Sequence, residues 1–176
     1  MKKTNKTVLI VVLICVAVAV VVSGPAIFFG YTIFSEIKLN KVDTEQTYID
    51  HADDLQALAD FALRYPDLMN ISKESSLGQR QRISKLERGV YLWWKQTPID
   101  LDDSEAQAVQ QAFRNSNIRE ITNYYEDGVV VFDLYSSMAN TKMLVYTKSG
   151  EQLENKYVQL TGWLSLNWYM AESHPH

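Results

Sequence analysis

The sequence predicts an α+β fold: an N-terminal transmembrane helix, then a small domain of about three helices packed on an antiparallel meander of about four strands. Three observations predict it. No charged residue occurs between Lys6 and Glu36. Apolar residues then recur at helical spacing in three stretches up to Arg114. From Ile118 the hydrophobic period changes to two, with an Asp-Gly pair between the first two runs of β-type residues. Helices followed by strands in one chain of 176 residues segregate into a helical layer and a sheet around one core.

The uncharged stretch comes first. A bilayer core needs about 20 helical residues, and 8–34 supplies them. The fifteen apolar residues at 8–22 also suit a cleavable signal peptide. Cutting after Gly24 would place Pro25 directly behind the scissile bond, where proline lacks the required backbone freedom. Cutting after Ala26 would leave Ile27, Phe28 and Phe29 as a sticky apolar terminus. As the outer end of an uncleaved anchor, Phe28, Phe29, Tyr31 and Phe34 form an aromatic belt at headgroup level. Pro25 predicts a kink or a helix end there. Lys2, Lys3 and Lys6 hold the N-terminus in the cytoplasm by the positive-inside rule, so the rest faces outward. The expected organisation is a cytoplasmic N-terminus (1–7), a signal-anchor (8–34), a polar connector (35–42), an extracytoplasmic domain (43–171) and a flexible tail (172–176).

Within the domain, Asp43 followed by Gln46 three positions on reads as a capping box. Tyr48, Ala52, Leu55, Ala59 and Ala62, with Ile49, Leu58, Phe61 and Tyr65 beside them, recur at helical spacing up to the stop at Tyr65-Pro66. Residues 66–78 read as a loop, with Asn70-Ile71-Ser72 a glycosylation sequon inside it. Ile83, Leu86, Val90, Trp93 and Trp94 suggest a second helix over 78–95. A third runs from Asp103 to Arg114, its acidic start suited to a helix N-terminus. Strands are expected at 118–125, 129–135, 141–147 and 163–170, with 152–160 an extra strand or a long connection. Alternation places Val130, Phe132 and Leu134 in the core, with Leu164, Leu166, Trp168 and Met170. It places Val129, Val131, Asp133 and Tyr135, and Trp163 and Tyr169, on the other face.

Composition excludes several functions. After residue 35 there are 14 basic and 21 acidic residues, a formal charge of −7, which argues against nucleic acid as a partner. The single cysteine, Cys15, lies in the apolar run, preceded by Ile14 where lipoprotein processing needs a small residue. The domain therefore holds neither disulfide nor thiolate nucleophile. His51 is the only histidine outside the terminal His174 and His176, and no G-x-S-x-G accompanies it. The acidic run at 100–105 has Glu105 where a calcium loop needs glycine, and Gln111 where it needs a bidentate glutamate. No glycine cluster cradles phosphates. The cations Arg80, Arg82, Lys85 and Arg88 read as a solvated face.

No cofactor, metal site or catalytic set is expected. The expectation is a bacterial single-pass membrane protein that presents an acidic extracytoplasmic domain to a protein or glycan partner. The bilayer is contacted through 8–34, and Trp163, Tyr169 and Tyr135 on the non-core face are the candidate binding residues. The alternatives are an extracytoplasmic carboxylate-based hydrolase, which needs two converging acids with one displaced in pKa, and an accessory subunit of a membrane complex.

Overall fold

The computed structural model describes residues 23, 27–39, 41–72, 90–95, 101–137, 140–150 and 158–173. Among them are three α-helices and one seven-stranded antiparallel sheet, an α+β fold. Helix α1 covers 27–39. The expected cytoplasmic N-terminus (1–7) and most of the expected anchor, 8–22 and 24–26 with Cys15 and the Pro25 kink, lie outside the described residues. No described helix is long and apolar enough to cross a membrane. The described part of that stretch is helical and presents Ile27, Phe28, Phe29, Tyr31, Ile33 and Phe34 to the outside. The helix continues through 39, so the expected connector is helical over most of its length.

Helix α2, Thr44–Arg64, starts as its sequence dictates. The Asp43 carboxylate accepts from the Gln46 backbone N–H at 2.9 Å, satisfying an N-terminal donor that has no partner within the helix. The helix ends before Pro66, and its buried side is Leu55, Leu58, Ala59, Phe61 and Ala62. Helix α3, Asp103–Asn115, buries Ala106, Val109, Ala112 and Phe113. Its cap is Asp102, which accepts from Glu105 N–H at 2.8 Å and from the Ser104 hydroxyl at 2.6 Å. Within the acidic run, Asp102 thus serves as the helix cap. Glu105 also joins the two helices, accepting from Arg64 at 2.7 Å and from the Tyr65 hydroxyl at 2.9 Å. Asp102→Ala is expected to cost about 1 kcal/mol, the usual loss for an N-cap, readable as a lower urea midpoint with an unchanged slope.

The strands are β1 Leu68–Ser72, β2 Tyr91–Trp94, β3 Glu120–Tyr124, β4 Val129–Ser136, β5 Thr141–Thr147, β6 Gln159–Ser165 and β7 Trp168–Ser173. Their order across the sheet is β2-β1-β3-β4-β5-β7-β6. Only β3-β4-β5 is a meander, and the four-strand expectation is corrected in three places. The expected loop at 66–78 contains β1, an inner strand between β2 and β3. The expected helix at 78–95 ends as β2, an edge strand that buries Leu92 and Trp94 while Trp93 points away. Residues 79–89, with the four cations, lie outside the described residues. The single strand expected at 163–170 is a hairpin: Leu166 and Asn167 form its turn, so Leu166 is exposed rather than in the core. Strand β7 also runs past 171 to Ser173.

Turn chemistry is where the sequence places it. Gly128 closes the β3–β4 turn at φ 66° and Gly150 follows β5 at φ 70°, left-handed positions that a side chain would strain. The main core lies between α2, α3 and one sheet face, around Phe113, Phe132, Ile121, Leu144 and Trp168. The opposite face also carries a cluster, Val129, Val131, Met143, Val145, Tyr169 and Ala171. The two valines of β4, expected on a half-polar outer face, are instead buried. The sequon is buried too: Asn70 and Ser72 lie within β1, 7% and 2% exposed, so in the folded domain it offers no surface acceptor.

Candidate functional site

Three backbone irregularities converge on one cleft. In α2 the helical dihedrals fail at His51, φ −131° and ψ 22°. After α3, Asn117 takes a left-handed conformation, φ 52°. In β4 the register slips between Asp133 and Tyr135, a bulge that leaves Leu134 without a partner in β5. A helix kink, a left-handed non-glycine residue and a bulge each carry local cost, and such features gather where side chains are held for a task. Here all three line a cleft of about 340 Å³ with Lys41, Asp43, Gln46, Thr47, Asp50, Ser116 and Tyr135.

The bulge decides what enters this cleft. Strict alternation would put Tyr135 on the same face as Val129, Val131 and Asp133. With one residue inserted, Tyr135 pairs with Lys142, whose strand neighbour Leu144 is in the helix-side core. Tyr135 therefore turns to the helix side, which corrects its expected place. Lys142 reaches across and donates from Nζ to the Val42 carbonyl at 2.7 Å. Ser137, just beyond β4, donates to Glu36 Oε1 of α1 at 2.6 Å. The end of the β4–β5 hairpin thus clasps both α1 and the link from α1 to α2, and the cleft opens beside that clasp. Leu39 near the end of α1 is 4% exposed.

The lining offers two carboxylates, an imidazole, an ammonium, two amides, two hydroxyls and a phenol. Asp50 accepts from Gln46 Nε2 at 2.8 Å, and Ser116 donates to the Ala112 carbonyl at 2.8 Å. The cleft is lined mostly by polar side chains, with the Tyr135 ring as its one aromatic wall. Among the described residues, no three His, Cys, Asp or Glu side chains are placed to hold a metal ion.

The other two sequence candidates lie elsewhere. Trp163 pairs with Tyr169 in the β6–β7 ladder, on the face opposite the helices. Trp163 is 68% exposed at the sheet edge, whereas Tyr169 is 8% exposed and donates its hydroxyl to the Gly150 carbonyl at 2.8 Å. The three rings do not form one surface. His51, which reads as a solvated helix position in sequence, lines the cleft. No periodicity marks it, because periodicity assumes the regular helix that breaks at this residue.

A second polar feature lies on the far face. Glu120 and Asp133 are directly opposed in the β3–β4 ladder. Asn70 donates from Nδ2 to Glu120 Oε1 at 2.7 Å. The Asp133 carboxyl is raised from its ordinary 3.8 to about 6, first by burial and then by the Glu120 charge, against the pull of Arg119. No protein-family model matches this chain, and no curated protein or solved structure is found to be similar to it.

Proposed function

We propose that the chain is a single-pass membrane protein whose acidic α+β domain, held outside the cytoplasm, binds a polar extracytoplasmic partner in the α2–β4 cleft rather than catalysing a reaction. One observation carries the reading. Helix α1 continues the apolar stretch with an exposed row of large apolar side chains, and the same helix is clasped through Glu36 by the β4–β5 hairpin, with Leu39 buried near its end. Such a helix has little reason to expose six large apolar side chains to water, and a bilayer with its headgroup region would cover them. The N-terminal lysines set the orientation. The cleft's mixture of amides, hydroxyls, both charges and one ring suits a glycan or a polar peptide segment, and nothing in it pairs a nucleophile with a base.

Two measurements test this. The full chain should stay in the membrane pellet after carbonate washing, and protease should remove the domain from right-side-out vesicles alone. Release by carbonate, or a native N-terminus at Ile27, would overturn the anchor. In micelles, amide spectra titrated with soluble cell-wall saccharides and short polar peptides should shift around Gln46, His51, Asn117 and Tyr135. Tyr135→Ala should weaken the responding ligand by tenfold or more, about 1.4 kcal/mol. Shifts confined to the surroundings of Trp163 would move the site to the sheet edge.

The hydrolase alternative has Glu120 and Asp133 in its favour, two converging acids with one displaced. Neither acid lines the cleft, and Asn70 already occupies one oxygen of Glu120.

A further inference from the structure

The α2–β4 cleft has one fixed wall and one that is held lightly. Ser116, Asn117, Leu134 and Tyr135 belong to the packed layer: Ser116 is 1% exposed and bonds back to α3, and Leu134 and Tyr135 stand on β4 in the middle of the sheet. The facing wall is 41–50. Helix α2 consists of two helices joined at His51, whose dihedrals interrupt the regular turn between them. Beyond that kink Leu55, Leu58, Ala59, Phe61 and Ala62 are buried, and Glu105 holds Arg64 and Tyr65 at the far end. Before it, no residue of 41–50 is buried, and Ile49 is 61% exposed. Among the described residues, the ties from this segment to the sheet are the Tyr48 ring against Trp168, the Tyr48 hydroxyl with Ser165 at 3.0 Å, and the Lys142 ammonium on the Val42 carbonyl. A helical piece with no buried residue opens at far lower free energy than one in the core.

The same segment continues from α1. The Lys41 N–H donates to the Lys38 carbonyl at 3.0 Å and the Val42 N–H to the Leu39 carbonyl at 3.1 Å, so the end of α1 and the start of the wall move as one turn. Helix α1 is gripped at its side, with Ser35 5% exposed and Glu36 accepting from Ser137. Clasp and cleft also share a ladder rung. Lys142, which holds Val42, is the cross-strand partner of Tyr135, and both Val42 and Tyr135 line the cleft.

We infer that 41–50 is a hinged wall pivoting at His51, and that the position of α1 in the bilayer sets how far the cleft is open. The inference rests on the anchor proposed above. The lever is short: 44–50 is ~10 Å long at 1.5 Å per residue, so a rotation of about 10° carries its Val42 end by ~2 Å. A shift of that size changes which groups fit between the two walls. Tilting of the anchor, by which a helix matches the bilayer thickness, supplies the rotation. The coupling is reciprocal, so a ligand that grips both walls holds α1 against the domain.

The test uses the full chain in nanodiscs of short-chain and of long-chain phosphatidylcholine, read by amide hydrogen exchange. Amides at 48–50, before the kink, should exchange about tenfold or more faster than those at 58–62. Their rates should also differ between the two lipids by about threefold or more, while 58–62 stay indifferent. Lys142→Met keeps the length of the side chain and deletes its donor. It should speed exchange at 48–50 by about tenfold and widen the lipid effect, with 58–62 as in the parent. Lys148→Met, an exposed position beyond the other end of β5, should change neither. Equal protection on the two sides of His51, or rates at 48–50 that ignore the lipid in both the parent and Lys142→Met, would sink the inference. A chain that a carbonate wash releases from the bilayer removes the anchor and the coupling together. A retained chain whose rates ignore the lipid leaves the anchor standing and removes the coupling alone.

Discussion

Trp168→Ala is expected to destabilise the domain by ~3–5 kcal/mol, the cost of deleting a fully packed large side chain. Trp168 begins β7 at 3% exposure and is the common neighbour of three other rings: Tyr146 at 5.1 Å, Phe132 at 5.2 Å and Tyr48 at 5.5 Å between centroids. These rings come from β5, β4 and α2, so one side chain joins the helical layer to two strands. Its indole N–H donates to Gln56 Oε1 at 3.2 Å, a further tie to α2. Removing it leaves a cavity between elements that cannot all close in, and strands the Gln56 acceptor. Domains are stable by only about 5–15 kcal/mol, so the urea midpoint should fall sharply or the domain should fail to accumulate. Trp168→Phe retains the ring contacts and should lose about half as much or less. Trp163→Ala supplies the contrast. This residue stands on the neighbouring strand at 68% exposure, and its loss should fall within about ±0.5 kcal/mol, as for other surface positions. A small loss for Trp168→Ala would mean that the four-ring cluster does not hold the two layers together.

That contrast is legible in the sequence, since alternation places Trp168 inward and Trp163 outward. The helices α2 and α3 are legible too, because their caps and stops are local: Asp43 and Asp102 bond to N–H groups within three residues, and Pro66 blocks continuation. So are β3, β4 and β5, whose turns contain glycines at positive φ. Strand β1 is hidden by its composition. Its far-face residues Asn70 and Ser72 are polar yet buried, and burial of polar groups depends on partners brought from other strands. Strand β2 is hidden by ambiguity, since Val90, Trp93 and Trp94 satisfy a helical spacing as well as an extended one over so short a run. The β6–β7 hairpin reads as one strand because its turn, Leu166-Asn167, contains no glycine or proline and leaves the alternation unbroken. The cleft is the least legible part. Tyr135 enters it because of a bulge at Leu134, and His51 because of a kink, and neither has a mark in the local sequence. A bulge flips every later side chain of its strand, so one inserted residue moves a candidate from one face of the sheet to the other.

The acid pair across β3 and β4 gives the second large effect, a stability that falls as pH rises. Asp133 holds its proton up to about 6 in the folded domain, against an ordinary 3.8, because burial and the opposed Glu120 disfavour its anion. Between these values the folded state binds more protons than the unfolded one. Stability then decreases with rising pH across that window. Below about pH 4 both states are protonated and nothing is lost. Above about pH 6 both are ionised and the loss is complete, of order 2–3 kcal/mol, since each tenfold change in proton affinity is worth about 1.36 kcal/mol. This runs opposite to the usual salt-bridged carboxylate, whose contribution is lost on acidification. Asp133→Asn removes the ionisation but keeps the shape, so it should be more stable than the parent near neutrality. The advantage should shrink to nothing as the pH approaches 4. Urea unfolding of both proteins from pH 4 to 7 measures the difference directly, and carboxylates remote from the Glu120–Asp133 pair cancel in the comparison. Parallel curves over that range would show that the Asp133 anion is not penalised by the fold.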